Sequence, residues 1–243
     1  MKTILISFFL CCFLFPALVV GQENTLEESE NDTIVLSPDK VDKLYREDQF
    51  YFGFSFNLLS NRPPGVSQSG FSGGLHVGFI RDMPVNKQRN IAFGAGLGLS
   101  ANSYGLNLLI AEENQNTIFQ VLGKDIGYET NRYSTYLVEA PLQFRWRTST
   151  PESHKFWRIY AGLRFGYMFH FKSNFKQANK QIVQRNIDEL NRFRTGLTFS
   201  FGYNTFNFHV YYSLNPLFDA NTLENANPVG LNTIKLGLMF YIL

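Results

Sequence analysis

From Phe50 onward, bulky apolar side chains recur at every second position, and this two-residue period restricts the chain more than any other feature. Phe50, Phe52, Phe54, Phe56 and Leu58 alternate with Tyr51, Gly53, Ser55, Asn57 and Leu59. The same alternation returns over residues 71–79, 91–100, 136–146, 157–171, 194–203, 206–214 and 234–242. Successive side chains of a strand point to opposite faces, so each run reads as a strand with one bulky apolar face and one small or polar face. The expectation is an all-β chain of eight strands.

Bulk and loop length decide which face is inside. The bulky faces carry more volume than an eight-stranded interior can hold, while the opposite faces are rich in Gly, Arg and His. Connections also alternate in length: 81–89, 148–155 and 204–205 are short, whereas 60–69, 111–132, 173–191 and 216–230 are longer. Short turns at one end and long loops at the other are the plan of outer-membrane barrels. Residues 50–243 are therefore expected to form an eight-stranded antiparallel transmembrane β-barrel whose apolar face meets outer-membrane lipid. An even strand number places both termini on the short-turn, periplasmic side. Trp146, Trp157, Tyr203 and Phe206 flank short turns on outward positions, where an interfacial aromatic girdle belongs.

Composition agrees. Charged residues are 17% of the chain, below the roughly 25% of ordinary soluble domains, and aromatics are 16%. That balance excludes a disordered chain and a soluble nucleic-acid binder. A mean hydropathy of −0.14 is too low for a bundle of membrane helices. Alternating strands around a polar lumen reconcile the two.

The one long apolar run, residues 4–20, follows Met1-Lys2-Thr3 and precedes the small residue Gly21. It reads as a signal peptide over residues 1–21, interrupted by Pro16 and too short for a comfortable membrane anchor. Both cysteines, Cys11 and Cys12, lie within it, so the mature chain is expected to have no thiol chemistry. Residues 22–49 hold nine acids against three bases and little apolar periodicity. They read as an acidic periplasmic arm, either a solvated linker or a segment docking on a basic partner.

An eight-stranded barrel is just wide enough for its own side chains, so the lumen is expected to be filled rather than open. Strand parity places Arg145, Arg158, Arg164, Arg194 and Lys235 inside, with Glu139 as the lone acid among them. A buried polar plug is the ordinary meaning of such a set, and an anion pathway is the alternative. The sequence supports no Asp-His or Ser-His pairing and holds no zinc-ligand spacing or HExxH motif, so catalytic residues, metals and cofactors are not expected. Gly94-Ala95-Gly96-Leu97-Gly98 lies on one strand face rather than opening a helix, which removes a dinucleotide reading. Arg81, Lys87 and Arg89 in one short turn, and Arg147 and Lys155 at another, form a candidate periplasmic docking face.

Tyr136-Leu137-Val138-Glu139-Ala140-Pro141-Leu142 looks like a strand of the PorT-like outer-membrane barrels of Bacteroidota. Arg81-Asp82-Met83-Pro84-Val85-Asn86-Lys87, the run from Glu139 to Gly162, Gly202-Tyr203-Asn204-Thr205-Phe206 and the terminal Phe240-Tyr241-Ile242-Leu243 fit as well. Over residues 48–243 the chain resembles the PorT/SprT family, the barrel component of type IX secretion and gliding machinery. The resemblance implies a non-enzymatic outer-membrane protein that acts in assembly or scaffolding. Its implied partners are other secretion components on the periplasmic side, with no nucleic acid and no small-molecule substrate. A small passive channel and a lipid-modifying barrel enzyme remain the alternatives.

Overall fold

The computed structural model describes residues 48–123, 125–148, 156–223 and 226–242. The signal peptide, the acidic arm up to residue 47, and Lys155 lie outside the described residues. The described chain forms strands β1 (Gln49–Ser60), β2 (Gly73–Pro84), β3 (Ile91–Gly105), β4 (Leu108–Glu113), β5 (Asn116–Val121), β6 (Thr130–Arg147), β7 (Trp157–Gln177), β8 (Lys180–Arg185), β9 (Phe193–Tyr203), β10 (Phe206–Ser213) and β11 (Asn232–Ile242). Among the described residues there is no helix.

Eight of these strands close into an antiparallel barrel. Their order is β6-β3-β2-β1-β11-β10-β9-β7, and pairing of β6 with β7 completes the ring. The pairings fix the stagger. A perpendicular path from Arg81 runs through Ala95, Leu142, Leu163, Leu197, Tyr212 and Ile234 to Leu58. Arg81 itself faces the level of Asp48, one step beyond the Gln49–Ile80 pair, so the circuit slips by ten residues, from 48 to 58. Such a shear tilts the strands and winds inward side chains into layers.

The outward faces are those expected. Phe52, Leu97, Leu142, Leu163, Phe199 and Phe208 are all exposed. Trp146, Trp157, Tyr203 and Phe206 ring the short-turn end, with the Trp157 and Tyr203 rings 5.5 Å apart. Phe71, Tyr136, Tyr167 and Phe193 ring the other end. Between Trp157 and Tyr167 on β7 run ten residues, about 25 Å along the axis of a strand tilted by roughly 40°. That height fits the apolar band of an outer-membrane barrel.

Three departures from the sequence expectation matter. First, β2 runs through Pro84, so Arg81 lies in a strand facing outward rather than in a turn. Second, the pairing of β6 with β7 shifts register between Tyr136–His170 and Leu137–Met168. This bulge reverses the parity of the upper part of β7, so Phe171 is buried inside instead of facing lipid. Third, the supposed long loops contain strands. β4 and β5 form a hairpin over part of 111–132, and β8 pairs with an extension of β7 inside 173–191.

These additions build a cap. Leu106, Leu108, Ile110 and Phe119 pack with Tyr133, Phe171, Leu217, Phe218, Val229 and Leu231 into one buried apolar cluster at the long-loop end. Phe218 meets Phe119 at 5.2 Å, Phe171 at 5.7 Å and Tyr133 at 6.0 Å between ring centroids. Buried donors anchor the hairpin: the Tyr133 hydroxyl and Asn131 Nδ2 both donate to the Leu108 carbonyl, the latter at 2.8 Å.

Candidate functional site

At the short-turn end, the lumen closes on Asp82, which is fully buried. Arg145 Nη1 and Arg147 Nη1 both donate to its Oδ1, and Arg147 Nη2 donates to Oδ2, each at 2.8 Å. The fork of Arg147 thus grips both carboxylate oxygens, the arrangement that makes guanidinium–carboxylate pairs strong. Arg147 Nε donates to the Arg89 carbonyl at 2.9 Å, tying the β2–β3 turn to the plug. Arg145 Nη2 donates to Gln49 Oε1, and the Asp82 amide donates to Asp48 Oδ1 at 2.7 Å. The start of β1 is therefore fastened to the plug through two side chains.

Glu139 was expected to be the only lumenal acid. Asp82 corrects this, and the sequence signal was available: it shares the inward parity of Ile80 and Gly78 once β2 is extended. Arg147, expected to border a docking turn, is instead buried with Arg145 on the inward face of β6. Gln49, assigned to the arm, is a buried residue of β1.

Above the Asp82 plug sits an aromatic layer. The Arg145 guanidinium lies 4.3 Å over the Tyr160 ring, and Tyr160 packs at 5.4 Å on Tyr241. Arg158 lies 4.5 Å over the Phe156 ring. Gly94 faces this layer because a Cβ there would stand 2.8 Å from Arg145 Cδ. The small inward residues of β3 thus leave room for the long side chains of β6 and β1.

One layer higher is Glu139. Arg164 Nη1 donates to its Oε2 at 3.2 Å and Ser100 Oγ to its Oε1 at 2.9 Å. Lys235 Nζ and His76 Nδ1 each stand 3.9 Å from a carboxylate oxygen. Ser55 already donates to Asn57 Oδ1 at 2.8 Å, so the 3.0 Å contact of His76 Nε2 with Ser55 Oγ is a donation from the ring. Ser200 and His209 form a separate buried pair at 2.7 Å. Of the predicted lumenal set, only Arg164 and Lys235 meet Glu139. Arg145 and Arg158 belong to the lower layers, and Arg194 donates upward to the Pro216 carbonyl in the cap.

Between this cluster and the cap remains a void of about 20 Å³, lined by Tyr104, Glu139, Arg194 and Lys235 among others. That is room for about one water molecule. From one end to the other the lumen is filled by an ion-pair plug, an aromatic layer, a second ion-pair cluster and an apolar cap. Such an interior fixes strand register. Among the described residues, no cluster of three or more His, Cys, Asp or Glu side chains could hold a metal ion.

The predicted docking set separates as well. Lys87 is exposed in the β2–β3 turn, Arg89 is half-buried, Arg81 faces outward at the level of the lower girdle, and Arg147 is buried.

The sequence matches a family model, that of the outer membrane protein beta-barrel domain, over residues 22–219. No curated protein matches it. A solved structure titled "Asymmetric conductivity of engineered proteins" is 8% identical, covering 82% of this chain and all of that one with a TM-score of 0.21, too low to carry an argument. The closed barrel, its apolar outer wall and the family match agree: the chain belongs to the outer-membrane protein β-barrel domain family.

Proposed function

We propose that this barrel is a non-enzymatic assembly or scaffolding component of the type IX secretion and gliding machinery. The observation that carries the scaffolding part is the filled lumen. Asp82 and Glu139 each hold two cations across the bore, and the apolar cap covers them. A barrel sealed in this way acts through its surfaces and ends. The secretion assignment is supported by the resemblance of Arg81 to Lys87 and of Glu139 to Gly162 to the PorT/SprT barrels. Those segments meet at the short-turn end, where Arg145 and Arg147 from one hold Asp82 from the other. What looked like a string of motif residues is, in large part, the plug.

In this reading both termini and the three short turns face the periplasm, and the docking surface is the exposed part of the β2–β3 turn around Lys87. Affinity isolation from cross-linked native membranes tests it. Secretion-machine components should copurify with the chain, and Lys87→Glu should reduce their recovery while leaving the barrel in the membrane. Recovery of neighbouring barrels alone, with export intact after deletion of the gene, would sink the proposal.

A further inference from the structure

The outer wall is bulky almost everywhere, so a patch of small outward residues stands out. A straight cross-strand row at the long-loop end reads Gly73, Ser103, Ser134 and Lys172. The row beneath it reads Leu75, Ala101, Tyr136 and His170. The small side chains at Gly73, Ala101, Ser103 and Ser134 form the floor of a groove of about 560 Å³ that is walled by Phe71 and Tyr136 and continues onto Phe54, Phe56, Leu236 and Leu238 of β1 and β11. The concavity is a consequence of side-chain size on a regular lattice.

Cations sit at its upper edge. Arg132 Nη1 is held by the Phe71 carbonyl at 2.8 Å and by Ser103 Oγ at 2.9 Å, which fixes the guanidinium beside the head of the groove. Lys172 flanks it one strand away. Among the described residues, no carboxylate lies within ion-pair distance of Arg132 or Lys172, while Glu129 is engaged by Lys176 at 2.5 Å. Above the aromatic girdle and beside lipid tails, these two positive groups face the head-group level of one leaflet.

We propose that this patch is a specific site for a phosphorylated lipid of the lipid A type, with acyl chain in the groove and phosphate on Arg132 and Lys172. Arginine presents parallel donors that match phosphate geometry, and the Ser103 and Ser134 hydroxyls supply further polar contacts at the same height. The groove accounts for the chain and the unpaired cations for the charge. Neither a general apolar wall nor a lone surface arginine would combine the two. The site does not depend on a role in secretion, but it rests on the orientation of that reading, with the long-loop end at the outer leaflet.

Native mass spectrometry of the full chain, refolded in detergent and titrated with bis-phosphorylated lipid A, tests the proposal. The expected result is a discrete one-to-one adduct that is about tenfold weaker in Arg132→Gln, the cost of one charge-assisted contact. The adduct should be lost in Ala101→Phe, which fills the groove from an outward position, and unchanged in Arg81→Gln at the opposite girdle. Heat-modifiable migration identifies folded barrels among the variants. An adduct indifferent to both Arg132→Gln and Ala101→Phe is annular lipid and overturns the site. Phosphatidylglycerol bound as tightly as lipid A, and equally sensitive to Arg132→Gln, would overturn the lipid A assignment in favour of a general phospholipid phosphate site.

Discussion

Toward the short-turn end the lumen is packed with charge, Asp82 holding Arg145 and Arg147 at 2.8 Å; toward the long-loop end it is packed with rings, Phe218 set among Phe119, Tyr133 and Phe171. The two fillings come from different kinds of sequence. The charged core of the plug, Asp82, Arg145 and Arg147, lies on β2 and β6, the two neighbours of β3, and is brought together across that strand by register alone. The cap is drawn from the four long-loop connections and the strand ends beside them, spread between Leu59 and Leu231. A lattice-built plug is inseparable from the barrel that aligns it. A loop-built cap can open while the barrel stays closed.

The largest effect should come from Asp82→Ala, which leaves Arg145 and Arg147 without the carboxylate they share. Removing one side of a buried charge cluster costs about 3–5 kcal/mol. Denaturant midpoints of the barrel refolded in lipid vesicles should fall accordingly, and an unchanged midpoint would mean that the plug contributes nothing to the barrel. Glu139→Ala should cost less than Asp82→Ala, because Arg164 makes its contact at 3.2 Å and Lys235 stands at 3.9 Å.

Phe218→Ala should cost near the lower end of about 3–5 kcal/mol, the range for a buried aromatic truncated in a packed core. The loss should be local. Hydrogen exchange is expected to rise over residues 106–131 and 217–231, while the protein keeps its heat-modifiable migration. Global melting of the barrel in this variant would erase the distinction between plug and cap.

The outer wall offers a third contrast. Phe199 lies between Phe193 and Tyr203, the girdle residues at either end of β9, so Phe199→Arg puts a charge deep in lipid at a cost of about 2–4 kcal/mol. Phe206→Arg, at the girdle itself, should cost about 0–1 kcal/mol. Equal losses would show that the apolar band is displaced from the position assigned to it. The smallest effect belongs to Lys87→Glu, an exposed turn substitution expected to move stability by less than about 0.5 kcal/mol.

The outer wall and the eight barrel strands were legible because a period of two is a local signal, repeated many times. The cap was not, for three physical reasons. Asn114 and Gln115 turn the β4–β5 hairpin with φ of 51° and 64°, yet neither is the glycine that usually advertises such a turn. The strands it joins are six residues each, β4 buried on both faces over Leu108–Ala111 and β5 burying only Phe119, so neither alternates. The bulge beside His170 then reverses parity without a Gly or Pro to mark it, which hid Phe171 in the outward set. In the site, Glu139 with Arg164 and Lys235 followed from parity. Asp82 with Arg147 did not, because the Pro-containing end of β2 was read as turn, although Pro84 at a strand terminus is compatible with the ladder.

A lumen holding the Asp82 plug, the Glu139 cluster and the Phe218 cap in series is closed to ions. Single-channel recording of the refolded wild-type chain in planar bilayers tests it most directly, with membrane insertion verified by protease protection. No discrete conductance steps above the bare-membrane background are expected. Stable ohmic steps from the wild-type protein would contradict it, since ions would then be passing where Asp82, Glu139 and the Phe218 cluster are placed.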